Sequence, residues 1–178
     1  MKRKILLLSA LTVLALGCHE RQPRQEQKDK NRLGSTDSAF LINASQANFN
    51  EIGAGKYAAQ DGNSDSIKYF GQAMATNHSN AEKSLDSLSA AFEIPIPHSA
   101  DLVHETFIEN LQFFRGRSLD SVYINGSIAD HQRVIALFIR EEGSGTNSRI
   151  KAYIAEYLPV IQMDLQTADS LASQLSLR

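Results

Sequence analysis

Glu51, His78, His131 and Asp164 stand where helical patterns in the chain ask for apolar side chains. Carboxylates and imidazoles turned inward from packed helices can do two kinds of chemistry: hold a divalent metal ion, or move a proton. They can also serve structure alone, hydrogen-bonding across the core to fix helix register as a buried asparagine does in a coiled coil. Each would cost about 1–3 kcal/mol if left unpartnered, so every one of these roles requires partners. His104, Asn77 and Asp130 stand in second rank, as orienting groups or surface polar residues, and His98, beside Pro97, reads as exposed. Other catalytic patterns do not occur: the 178-residue sequence has no Gly-x-Ser-x-Gly elbow, no glycine-rich phosphate loop, and a single cysteine, Cys18. "EEGSGTN" reads as a turn. The tyrosines at positions 57, 69, 123, 153 and 157 fall at helical spacings and read as packing residues.

The elements that must position these groups follow from spacings of three and four. A first helix is expected from Ser35 or Thr36 to about Gln60, with Phe40, Ala44, Ala47, Glu51, Ala54 and Ala58 on one face. "DGNSD" ends it, and a second helix runs from about Ser64 to Phe92 with Ile67, Gly71, Met74, His78, Ala81, Leu85 and Leu88 on its seam. Pro95 and Pro97 then break the chain, and Ser99 is expected to cap a shorter helix reaching about Arg115, with His104, Phe107, Leu111 and Phe114 on one stripe. The next helix, from about Ser118 to Glu142, carries Ile124, Ile128, His131, Ile135 and Phe138. The last, from near Asn147 to about Leu175, carries Ile154, Tyr157, Ile161, Asp164, Ala168 and Leu171, and should kink or restart at Pro159. The class is all-α: an antiparallel four-helix bundle, with the short helix inside the crossover between the second and third long helices.

Depth along the bundle limits which groups can meet. At ~1.5 Å per residue, Glu51 lies roughly 16 Å and His78 roughly 24 Å from the turn at Gly62. His131 lies roughly 21 Å and Asp164 roughly 28 Å from the turn at Gly145. One ion therefore cannot take all four as ligands, and a cluster of two or three is expected, centred on His78 and His131. A Glu-x-x-His spacing would argue for a ferritin-type di-metal centre, but Ala75 and Ile128 occupy the relevant positions.

Residues 1–17 read as an export signal, with Lys2, Arg3 and Lys4 ahead of a short apolar run that ends at Gly17. Cys18 follows directly, and the segment resembles a bacterial lipoprotein signal in which that cysteine becomes the lipid-modified first residue. Ala15 stands where such signals usually have leucine, and His19 rather than aspartate follows the cysteine. By analogy with lipoprotein sorting, this implies the outer membrane, facing the periplasm or the exterior. Residues 18–34 then form a polar tether whose only large apolar residue is Leu33. His19–Gly34 carries five basic and three acidic residues, whereas residues 35–178 carry ten basic and seventeen acidic. A basic tether suits lipid phosphates, and an acidic body argues against nucleic acid as partner. No stretch of the body reaches the ~18 apolar residues of a membrane span.

Four blocks, "LINASQANFNEIGAGKYAAQ", "MATNHSNAEKSL", "SLDSVYINGSIADHQRVIALF" and "YLPVIQMDLQTADSL", together resemble the bacterial envelope family called domain of unknown function 4142, described as predicted outer membrane proteins and ferritin-like. The similarity spans residues 36–176. Its members carry an Asp-His pair on the second helix, another on the next long helix, and a histidine after the Leu-Pro of the last. Here these are Asn77-His78, Asp130-His131 and Asp164, so two positions depart from the pattern. The resemblance implies an exported helical bundle and supplies no reaction. The expectation is thus a lipid-anchored envelope protein whose bundle binds another envelope component or has a structural role. The alternative is a divalent-metal-binding bundle using His78, His131, Glu51 and Asp164.

Overall fold

The computed structural model describes residues 33–176. The segments expected to be an export signal and, up to Arg32, a tether, with Cys18 between them, lie outside the described residues. Five helices follow one another: α1 (Ser35–Asp61), α2 (Asp65–Phe92), α3 (Leu102–Leu111), α4 (Gly116–Ser144) and α5 (Ser148–Ser176). No strand occurs among the described residues. The molecule is an all-α helical bundle in which α1 packs on α2 and α4, α5 packs on α4 and α2, and short α3 rests on α1 and α4.

Local chemistry explains most of the boundaries. Ser64 caps α2 by accepting from the Ile67 amide at 3.3 Å. Asn147 caps α5 by accepting from the amides of Arg149 at 2.9 Å and Ile150 at 3.3 Å. The short helix departs from expectation. It is capped by Asp101, which accepts from the amides of Val103 at 2.9 Å and His104 at 3.1 Å, and it ends at Leu111, well short of Arg115. Asp101 prevails over Ser99 because its carboxylate reaches both amides and the His104 ring together. Around "EEGSGTN" the helix persists through Ser144, which leaves a turn of three residues, Gly145 to Asn147. Pro159 neither ends nor restarts α5. The buried Ile154 and Ile161 hold the turns on either side of it in the core.

Two buried aspartates tie the turns of the bundle to distant helices. Asp120 of α4 accepts from the amides of Asn63 at 2.7 Å and Ser64 at 3.1 Å, sealing the α1–α2 turn. Asp37 of α1 accepts from the amides of Thr146 at 3.2 Å and Asn147 at 3.4 Å, sealing the α4–α5 turn. Both carboxylates are fully buried.

The core has two apolar parts. One gathers Phe40, Leu85, Phe138, Ile150 and Tyr153; the other gathers Ala58, Ile67, Phe70, Met74, Leu119 and Tyr123. All seven residues expected on the α2 seam are buried. Helices α1 and α2 approach closely at two glycines: a Cβ on Gly55 would stand 2.7 Å from the Gly71 carbonyl, and one on Gly71 would stand 2.6 Å from the Gly55 carbonyl. That contact sets the spacing at which Glu51, one turn from Gly55, faces α2.

Candidate metal centre

Glu51 of α1, His78 of α2 and His131 of α4 meet inside the bundle, with relative exposures of 2, 3 and 1 %. Each offers a ligand atom within 4.8 Å of the others. The two imidazole rings stand edge to face with centroids 5.5 Å apart.

Hydrogen bonds orient both rings. Asn48 donates its amide N–H to Glu82 at 2.8 Å, so its carbonyl oxygen is turned to His78 Nδ1 at 3.0 Å. His78 must therefore carry its proton on Nδ1, which leaves Nε2 as a free lone pair. Glu82 is held in turn by the Ser45 hydroxyl at 2.7 Å. His131 donates from Nδ1 to the Ser127 carbonyl at 2.8 Å. That nitrogen also lies 3.3 Å from Glu51 Oε1, close enough for charge attraction, but its hydrogen points at Ser127. The Ser127 hydroxyl donates to the other Glu51 oxygen at 3.4 Å. Six buried side-chain atoms have no hydrogen-bond partner among the described residues: Glu51 Oε1, His78 Nε2, His131 Nε2 and the Tyr123 hydroxyl oxygen, and, on other side chains of the core, Glu141 Oε1 and the Tyr153 hydroxyl oxygen.

The two histidines titrate in opposite directions. Burial holds His78 down at about 4; the Glu51 carboxylate opposes this and the His131 charge reinforces it. Burial also disfavours charge on His131, but Glu51, the Ser127 carbonyl and Asp164 outweigh it and push this ring up to about 9. Burial thus favours the neutral form of His78, whereas the surroundings of His131 favour its charged form.

Asp164 does not join the trio of ligand atoms. It is buried at the edge of the centre, where Asn77 donates to both of its oxygens at 3.2 Å. Burial raises its pKa, and the Glu51 charge adds to the rise. Its charge is felt by His131 and by the buried Tyr123 phenol, so it belongs to the electrostatics of the centre without touching its core. Asn77 is accordingly an orienting residue.

A second histidine cluster lies outside the core. His104 spans two carboxylates, with Nδ1 2.6 Å from Asp101 and Nε2 2.9 Å from Asp130. Asn50 donates to Asp101 at 3.1 Å, and Arg133 pairs with Asp130. Hydrogen bonding to Asp130 is the largest influence on His104 and raises its pKa against the cost of burial. A third group, Glu82, Asp86 and His98, brings ligand atoms within 4.8 Å, but Glu82 already serves Ser45 and Asn48, and His98 is exposed, as its position between proline and cap implies.

Sequence reasoning nominated the three central side chains and missed their supports. Asn48 lies on the buried face of α1 four residues after Ala44, and Ser127 lies four before His131, but neither polar type marks a core position. Tyr123 read as packing; its hydroxyl has a place in the centre as well.

These residues define a class, a helical bundle with a buried pair of imidazoles and one carboxylate drawn from three helices. The chain belongs to the family Domain of unknown function (DUF4142), whose model matches residues 22–171. Neither a curated protein nor a solved structure matches it.

Proposed function

We propose that this chain is an exported, lipid-anchored envelope protein whose antiparallel, ferritin-like four-helix bundle holds one divalent metal ion between Glu51, His78 and His131. Two observations carry this reading together: Glu51, His78 and His131 each bring a ligand atom within 4.8 Å of the others, and each has a buried atom, Glu51 Oε1, His78 Nε2 and His131 Nε2, without a hydrogen-bond partner. Buried polar atoms of a folded protein normally have partners, and three potential ligands left bare at one place call for a common one. Two imidazoles and a carboxylate suit zinc or ferrous iron and leave positions for water or another molecule on the ion. The Nδ1 atoms are engaged by Asn48 and Ser127, the outer support that metal-bound histidines commonly have. A di-metal oxidation centre would need more carboxylates than Glu51 supplies here.

The test is calorimetric titration of the mature chain with zinc, copper, cobalt and ferrous ions. One ion should bind per chain and raise the unfolding temperature. Unchanged binding and unchanged thermal stabilisation in His78→Ala/His131→Ala would end the metal reading. Anchoring is tested separately: Cys18→Ser should move the protein from washed membranes to the soluble fraction, and its retention in the washed membranes would refute the lipid anchor.

A further inference from the structure

A groove of about 490 Å³ runs between α2 and α5. Its walls are mostly apolar, with Tyr69, Phe70, Met74 and Leu171 among them, and its ionisable lining residues are both acidic: Asp65 and Asp164. Three of its lining residues, Phe70, Met74 and Asp164, adjoin residues of the buried centre in sequence, packing or charge. Met74 lies one helical turn before His78 on the α2 seam, and the Phe70 ring stands 6.1 Å from that of Tyr123. The unpartnered Tyr123 hydroxyl oxygen is within electrostatic reach of both Glu51 and Asp164. Asp164 thus lines the groove on one side and acts on the centre on the other.

An ion bound by three side chains that are almost completely buried needs a way in. A bare divalent cation cannot cross apolar side chains, because removing its hydration without replacing it is prohibitive, so it must pass between oxygen ligands. We infer that the α2–α5 groove is the access route for the divalent ion and that Asp164 is its transit ligand, taking the ion from solvent and passing it to Glu51, His78 and His131. This rests on the metal-binding reading above. The two amide contacts from Asn77 hold the Asp164 carboxylate in place. The hydroxyl of Tyr123 and Oε1 of Glu51 are buried oxygens without hydrogen-bond partners to which the ion would pass next. The groove of about 230 Å³ on another face, beside Asn43, Asn50 and Val134, is a poorer route. Its inner wall is the Asp101–His104–Asp130 cluster, whose carboxylates are already engaged by His104 and Arg133, and those side chains would repel a cation.

A transit ligand changes rates more than equilibria. Stopped-flow mixing of the mature chain with cobalt(II) chloride, followed by the ligand-field absorption of the bound ion, gives uptake; mixing the loaded protein with excess chelator gives release. Asp164→Asn should slow both by roughly 10-fold or more, the scale on which an oriented charge alters association, and leave the equilibrium constant nearly unchanged. Thr167→Trp, which fills the groove without touching a carboxylate, should slow both likewise. Asn43→Trp, in the other groove, should alter neither. If Asp164→Asn and Thr167→Trp take up cobalt at the wild-type rate, or if Asn43→Trp is the variant that slows it, the route is wrong while the centre stands. If Asp164→Asn weakens equilibrium binding as much as it slows uptake, Asp164 is a resident ligand and the transit role falls. A wild-type chain that binds no cobalt, zinc or ferrous ion removes the centre and the route with it.

Discussion

The two histidine clusters of this bundle are built from the same residue types and reach opposite outcomes. Around His104 every ring nitrogen has a carboxylate, and each carboxylate has a further donor from Asn50 or Arg133. Around His78 and His131 the Nδ1 atoms are engaged and the Nε2 atoms are not. The first cluster is closed and fastens α3 to α4. The second is open: both Nε2 atoms and Glu51 Oε1 have no hydrogen-bond partner among the described residues. Residue type and spacing do not separate a fastener from a site; the count of satisfied hydrogen bonds does.

Mutations sharpen this contrast. The largest expected effect is on metal affinity: His78→Ala/His131→Ala should lose more than the roughly 10–100-fold typical of removing a supporting group, whereas His104→Ala should leave affinity unchanged, both read by calorimetry. Next comes Asn48→Leu, which frees the His78 ring to turn and should weaken binding by about 10–100-fold. Equal affinity in Asn48→Leu and wild type would show that Asn48 does not orient a ligand. In metal-free protein His104→Ala should cost about 1–3 kcal/mol, toward the lower figure because Asp101 is partly exposed, measured from urea unfolding midpoints.

The smallest effect is in pH. The folded-state pKa of His104 is raised, so its contribution is fully present below the ordinary histidine value of 6.5 and is lost as pH rises through the folded value. The difference in urea midpoint between wild type and His104→Gln should therefore shrink on going from pH 6 to mildly alkaline pH; the difference isolates His104 from His131, whose raised pKa of about 9 also moves the wild-type midpoint over this range. A constant difference would mean that the neutral ring holds the two carboxylates as well as the charged one.

Much of the fold was legible because period fixes face. The α2 seam was readable from Ile67 to Leu88 since each step of three or four lands on the same side of a helix. On α4 the burial centre is rotated from the expected line: Tyr123, Ser127 and Val134 are buried, whereas Ile128 and Ile135 are half-buried. Isoleucine marks an apolar stripe more strongly than serine does, so the stripe was drawn toward it. The site was legible in composition and only partly in membership. Counting residues from the turns gives depth along each helix but no information on tilt or side-chain reach, which is why Glu51 and His78, set ~8 Å apart by helix rise, still meet. The same counting limited the cluster to two or three groups around His78 and His131 and did not choose between Glu51 and Asp164 as the third; helix packing brings in Glu51. Nothing in a linear pattern signals that Asn48 or Asp101 will find a histidine, because those pairings depend on how helices cross.

Asp37 and Asp120 have a consequence for how the chain must assemble. Each helical hairpin has its turn closed by a carboxylate borrowed from the other, so neither half can finish its own bend alone. A fragment ending after α2 would expose the amides of Asn63 and Ser64 to water, and one beginning at α4 would do the same to Thr146 and Asn147. The two halves therefore mature as mutual templates, each supplying the clasp that the other lacks.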